Sequence, residues 1–163
     1  MTKLRVGFGF DVHQLKERHL FILGGVNLAH HSGAFGHSDA DVLVHAICDA
    51  LLGAANLRDI GFHFSNKDEK WKGISSLILL RHVLELLKDK GWGINNIDAM
   101  VCLEAPKINP HIPAMKANIA AAAGISEDDI SIKATTNEQL GFIGREEGVV
   151  AYAVCLIEKS ESR

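Results

Sequence analysis

Asp11 and His13 stand two residues apart in a segment where apolar and polar residues alternate. On an extended chain, residues two apart share a face, so a carboxylate oxygen and an imidazole nitrogen are offered side by side. His45, on a helical stretch, could add a second nitrogen. One Asp and two His make a three-ligand set with an open fourth position, the arrangement of catalytic rather than structural zinc. The plainer reading leaves Asp11 and His13 as polar residues at a strand end and His45 as a satisfied buried histidine. Spacing alone does not bring the strand and the helix together.

Three further segments carry chemistry-bearing residues. His37-Ser38-Asp39 precedes a helix, whose free N–H groups and positive dipole end suit a phosphate; Ser38 as a simple helix cap is the plainer alternative. Ala134-Thr135-Thr136-Asn137-Glu138, with Arg145 shortly after, gathers two hydroxyls, a carboxylate and a guanidinium near Gly141 and Gly144. That set suits phosphate and a hard divalent cation, or is a polar turn between strands. Ala105-Pro106-Lys107-Ile108-Asn109-Pro110-His111 is a stiff entry to a helix, with Lys107 either contacting a ligand or solvated.

The elements that must position these residues are legible from periodicity. In residues 4–13, Leu4, Val6, Phe8, Phe10 and Val12 line one face of a strand, and Arg5, Gly7, Gly9, Asp11 and His13 the other. Phe21-Ile22-Leu23, Gly24-Gly25 and Val26-Asn27-Leu28 read as a hairpin. Ser38, followed by Asp39 and Asp41, predicts a capped start for a helix over roughly 37–56. Its apolar stripe is Leu43, Ile47, Ala50, Leu51 and Ala54, and its polar line is Asp41, His45 and Asp49. Residues 58–73 lack a period and read as a long loop. Helices follow at about 75–90 and 111–123, the last ending at Gly124. Strands are expected around Ile97–Leu103, around Ile130–Ala134 and over 149–157. The last strand is apolar on both faces and reads as buried on both sides. Three helices are too few to cover two faces of a sheet, so a spare apolar face points to oligomerisation, or else to a central strand in the sheet of a monomer. The fold class is α+β, one domain over 1–163, a mixed β-sheet with helices on one face.

Bulk properties exclude several classes. The 163 residues suit one domain, with 47% hydrophobic and 23% charged residues. A formal net charge of −3 predicts no nucleic-acid surface. The longest apolar stretches are broken by His45, Asp49, Arg81 and His82, so no membrane span is expected, and no signal peptide is read at the N-terminus. Cys48, Cys102 and Cys155 form no CxxC pair, which predicts neither disulfides nor a thiolate zinc knuckle and suits a cytoplasmic protein.

Taken in order, the motifs resemble one family. Gly9-Phe10-Asp11-Val12-His13 is similar to its N-terminal signature. His37-Ser38-Asp39-Ala40-Asp41 with His45, and Asp49-Ala50-Leu51-Leu52-Gly53-Ala54, follow. Asp59-Ile60-Gly61, Pro106-Lys107 with Pro110-His111, Lys133-Ala134-Thr135-Thr136, and Leu140-Gly141-Phe142 with Gly144-Arg145 complete the series over nearly the whole chain. The family is 2-C-methyl-D-erythritol 2,4-cyclodiphosphate synthase.

The resemblance implies a ferredoxin-like, chorismate-mutase-like homotrimer, with sheets facing the threefold axis and active sites between subunits. It implies that 4-diphosphocytidyl-2-C-methyl-D-erythritol 2-phosphate cyclises with release of CMP. Asp11, His13 and His45 would hold zinc, and Glu138 a second ion, magnesium or manganese. His37 and Thr136 would steady the transition state, and Ser38 would contact phosphate. Asp59 and Gly61 would hold the erythritol part, and Ile60, Phe64, Asn66 and Asp68 would also contact substrate; Leu103, Pro106, Lys107, Asn109 and Thr135 would form the cytidine end. Phe10, Phe142 and Arg145 would line a central channel able to hold an isoprenoid diphosphate. Ser65-Asn66 stands where relatives often have Pro-Asp, Asn137 where Thr is frequent, and Tyr152 where some relatives carry Glu. With Tyr152 there, Arg145 is expected to lack an internal carboxylate partner unless Glu146 or Glu147 supplies one. Two other functions fit the same residues: a zinc-dependent phosphodiesterase, and a non-catalytic trimer that binds isoprenoid diphosphates.

Overall fold

The computed structural model describes residues 3–159. β1 (Lys3–Glu17) carries the predicted alternation and continues past His13. β2 (Phe21–Leu23) and β3 (Val26–Leu28) form the predicted hairpin, its turn made by Gly24 and Gly25 at φ 56° and 71°. β4 (Ser32–Phe35) is too short to show a period in the sequence. Then come α1 (Val42–Ala54), α2 (Ile60–His63), α3 (Ser76–Asp89), β5 (Gly93–Cys102), α4 (Ile112–Ala123), β6 (Ile130–Thr135), α5 (Gly141–Gly144) and β7 (Gly148–Lys159). Five strands make one sheet in the order β4-β1-β7-β5-β6. The β5–β6 pair is parallel and the rest antiparallel, so the sheet is mixed and the architecture α+β, as expected.

The two faces of this sheet differ sharply. On one, small residues pair across strands: Gly7 with Cys155, Gly9 with Ala153, and Ala153 in turn with Ala99. α1 lies directly on them. A methyl group at Gly9 would overlap the Ala46 carbonyl, and one at Gly7 the Ala50 carbonyl. α3 and α4 complete the layer, with Leu80, Val83, Leu87, Met115 and Ile119 in the core. The other face carries Leu4, Val6, Phe8, Phe10 and Val12 of β1 beside Tyr152 and Val154 of β7, all exposed.

Four expectations need correction. β7 is not buried on both sides within the chain: Ala151, Ala153 and Cys155 are buried, whereas Tyr152 and Val154 face outward. α1 starts at Val42 and its cap is Asp41, whose carboxylate accepts from the Val44 N–H; Ser38 lies outside the helix. α1 is apolar almost all round, since sheet, hairpin and α3 enclose it, leaving His45 and Asp49 partly exposed and Gly53 exposed near its end. The stretch read as one long loop contains α2 and a short 3-10 turn at Glu69–Trp71. Cys48, Cys102 and Cys155 are free thiols. No helix among the described residues is long and apolar enough to cross a membrane.

Candidate active site

β1 and α1 bring Asp11, His13 and His45 together, with one ligand atom from each inside a 4.8 Å cluster. Asp11 Oδ2 lies 2.9 Å from His45 Nδ1 and 3.0 Å from His13 Nδ1. Burial alone would raise the Asp11 carboxyl, but the close approach and charge of His13 and His45 outweigh it and bring it down to about 2. Burial likewise opposes charge on His45, yet the Asp11, Asp41 and Asp39 carboxylates hold its pKa above the ordinary imidazole value. The pocket therefore favours positive charge. His13 Nδ1 is buried and, despite its nearness to Asp11, has no hydrogen bond of acceptable direction. A buried imidazole nitrogen left over beside a carboxylate and a second imidazole fits a metal ion as the shared partner.

The far side of His45 is held by a relay. Its Nε2 donates to Ser76 Oγ at 2.8 Å and is 3.0 Å from Ser38 Oγ. Ser76 Oγ donates in turn to the Asp39 carboxylate, which also accepts from the Ser76 N–H at 2.9 Å. This arrangement fixes the ring so that Nδ1 points at the cluster. Asp41, fully buried, accepts from the N–H groups of Gly24, Gly25 and Val44 and so ties the hairpin to the start of α1.

The segment after α1 closes over this side. Asp49 accepts from Ile60 N–H at 2.7 Å, and Asp59 caps α2 through Phe62 N–H. His37 Nε2 donates to the Asp68 carbonyl at 3.1 Å, and the His37 carbonyl accepts from Gly73. Phe64 packs edge-on against Trp71, with ring centroids 5.0 Å apart. Gly61 and Asn66 are exposed at the rim.

A cleft of about 220 Å³ opens at the carboxyl ends of the parallel strands β5 and β6, where ligands commonly bind in open sheets. One wall runs from Leu103 to Asn109, including Pro106 and Lys107, and the other from Ala134 to Thr136. Leu103 N–H donates to the Thr135 carbonyl, and Asn137 N–H to Glu104 at 3.1 Å, so both walls are pinned. Thr136 Oγ1 donates to Glu138 at 3.1 Å, and Glu138 sits at φ 52°. Among the described residues no hydrogen bond or ion pair joins this cleft to the His45 cluster.

Arg145 does not lack an internal partner, contrary to the expectation built on Tyr152. Its Nε and Nη2 each donate to Glu147 at 3.0 Å in a bidentate pair, because both side chains leave the same tight turn. Tyr152 instead stacks with Phe8 and packs at a tilt against Phe10, the latter at 5.3 Å between centroids.

Residues 4–158 match the model of the YgbB family. A 2-C-methyl-D-erythritol 2,4-cyclodiphosphate synthase of Cytophaga hutchinsonii is 60% identical over 157 residues, 96% of this chain and 99% of that protein. The chain belongs to the YgbB family of 2-C-methyl-D-erythritol 2,4-cyclodiphosphate synthases. The Campylobacter jejuni bifunctional IspDF matches at TM-score 0.94 and 38% identity over 99% of this chain, which spans 44% of that larger one. A Plasmodium falciparum IspF in a CDP complex matches at TM-score 0.85 and 33% identity over 97% of both chains.

For this synthase-family chain, sequence reasoning missed Glu104, Ser76 and the part played by Asp39 beyond the helix start. Glu104 carried a signal, since it directly precedes the Ala105-Pro106 turn. Ser76 carried none, because its role depends on a contact 31 positions away.

Proposed function

We propose that the chain converts 4-diphosphocytidyl-2-C-methyl-D-erythritol 2-phosphate to 2-C-methyl-D-erythritol 2,4-cyclodiphosphate, releasing CMP, in non-mevalonate isoprenoid precursor synthesis. Membership of the synthase family over nearly the whole chain carries this reading. In the reaction an oxygen of the 2-phosphate attacks the β-phosphorus. The bond from that phosphorus to the bridging oxygen breaks, and CMP leaves with the bridging oxygen. No group of the protein becomes covalently attached, so the work of the chain is positioning and charge stabilisation.

Asp11, His13 and His45 would hold zinc, which when bound supplies positive charge against the diphosphate. Glu138 would hold magnesium or manganese, and Thr136 Oγ1 already orients that carboxylate. His37, which donates to the Asp68 carbonyl, is poised to donate to phosphoryl oxygen when the substrate enters, with Ser38 beside it. The α2 segment around Asp59 and Gly61, bordered by Phe64, Asn66 and Asp68, would take the erythritol part. The Leu103–Asn109 cleft with Thr135 would take cytidine, Lys107 being its exposed cation.

The triad and the cleft would meet across a subunit boundary in a ferredoxin-like homotrimer whose sheets face a threefold axis. The exposed apolar sheet face supports this assembly. Phe10, Phe142 and Arg145 would then line a central channel open to an isoprenoid diphosphate, which must compete with Glu147 for Arg145. Residues 1–163 would form one synthase unit, working in the cytoplasm.

CMP release with added zinc and magnesium tests the assignment. His45→Ala should lose the zinc of this site and its activity together while keeping its fold. Glu138→Gln should keep zinc and need more magnesium. A His45→Ala protein that keeps full zinc content, or a Glu138→Gln protein with an unchanged magnesium titration, would remove that residue from its role.

A further inference from the structure

We propose that His30, His31 and Glu146 form a second site for a divalent transition-metal ion, independent of the Asp11–His13–His45 cluster and of the reaction assigned above. Each residue offers one ligand atom, and the three atoms lie within 4.8 Å of one another. His30 Nε2 is buried and has no hydrogen-bond partner. The atom it faces is Glu146 Oε2, 3.9 Å away. That is too long for a hydrogen bond. Two ligands sharing one ion through bonds of about 2.0–2.2 Å stand roughly 3–4 Å apart, so the gap is the size an ion needs. Among the described residues no Lys or Arg engages Glu146, since Arg145 is committed to Glu147.

Two loops carry these ligands, and both are anchored to the same end of β1. Ser32, directly after His31, pairs with Glu17, and the His31 carbonyl accepts from Arg18 N–H. On the other side, the Glu147 carbonyl accepts from Leu15 N–H at 2.9 Å. The separation of the histidine pair from Glu146 is thus set by main-chain pairing. Glu146 itself is held at φ 58° with its N–H donating to the Ile143 carbonyl. The His30 and His31 rings lie 4.2 Å apart, tilted by 54°, and Phe21 backs His30. Two imidazoles with one carboxylate select borderline ions such as zinc, cobalt, nickel or copper over magnesium or calcium, which prefer all-oxygen sites.

Zinc binding by equilibrium dialysis, with metal content measured by mass spectrometry, tests the site. Wild-type protein should saturate at about two zinc ions per chain, one for each three-ligand set. His31→Ala and Glu146→Gln should each saturate at one, with zinc affinity at the second site falling more than about 100-fold, beyond what outer-shell changes cost. His31 is exposed, so its removal should leave the fold, checked by circular dichroism, and CMP release as they were. Only one zinc per chain in the wild type, or two in His31→Ala and Glu146→Gln alike, would overturn the proposal. The His45→Ala protein separates this site from the first: it should bind one zinc, and the His31→Ala/His45→Ala double variant none.

Discussion

At the scale of single residues, the His45 ring depends on a serine that no spacing rule could connect to it. Alternation made it legible that Asp11 and His13 share a strand face, because a period of two is local. Ser76 meets His45 only because α3 folds back onto α1. Its hydroxyl accepts from His45 Nε2 and passes its own proton toward Asp39, so the tautomer that frees Nδ1 for metal is fixed from behind. Ser76→Ala should therefore weaken zinc binding by roughly 10–100-fold without changing the ligand set. Competition against a chromophoric chelator measures this. Ser38→Ala should cost less, since Ser38 has no carboxylate behind it. Equal zinc affinity in Ser76→Ala and wild type would show that the relay does not orient the ring.

At the scale of elements, the hairpin, α3, α4 and the strands β5 and β6 were readable because each shows a clear period or a strong turn signal. Two glycines gave the hairpin, and Gly124, at φ 67°, gave the end of α4. The start of α1 is ambiguous in the sequence because Ser38, Asp39 and Asp41 are all good caps, and only the contact of Asp41 with the hairpin N–H groups decides among them. The polarity of β1 was legible, but not which face would be covered. Burial follows the glycines here, since only a surface without Cβ atoms lets the α1 backbone come so near. Gly9→Ala should destabilise the protein by about 1–3 kcal/mol, the usual cost of overpacking. Gly53→Ala, on the open side of α1, should be neutral or stabilising by up to about 1 kcal/mol, because alanine is the better helix former. Urea unfolding midpoints compare the two, and equal midpoints for the two variants would contradict the packing argument.

At the scale of the whole molecule, the exposed sheet face stands out. Five apolar residues of β1 and two of β7 lie on one surface, with Phe8 at 64% and Val6 at 68% exposure. An apolar area of this kind marks an interaction surface. The sequence announced it as a surplus of apolar residues on β7, and the surplus is real, although within one chain it stays uncovered. Light scattering should give a particle three times the mass of one chain, and Phe8→Asp should dissociate it into monomers that release no CMP, because each site would have lost its neighbour's half. A wild-type monomer with full activity would sink both the trimer and the shared site.

The near-contact of the β1 and α1 backbones also fixes an order of events for a newly made chain. The two segments bearing the triad, β1 and α1, are joined by close main-chain packing at Gly7 and Gly9. Folding should therefore not wait for metal, as it does in small zinc domains. On the proposed assignment, zinc would enter a cage already assembled and could be withdrawn and returned without passage through the unfolded chain. Supply of the ion would then govern how much of the protein is at work at a given moment, not how much of it survives.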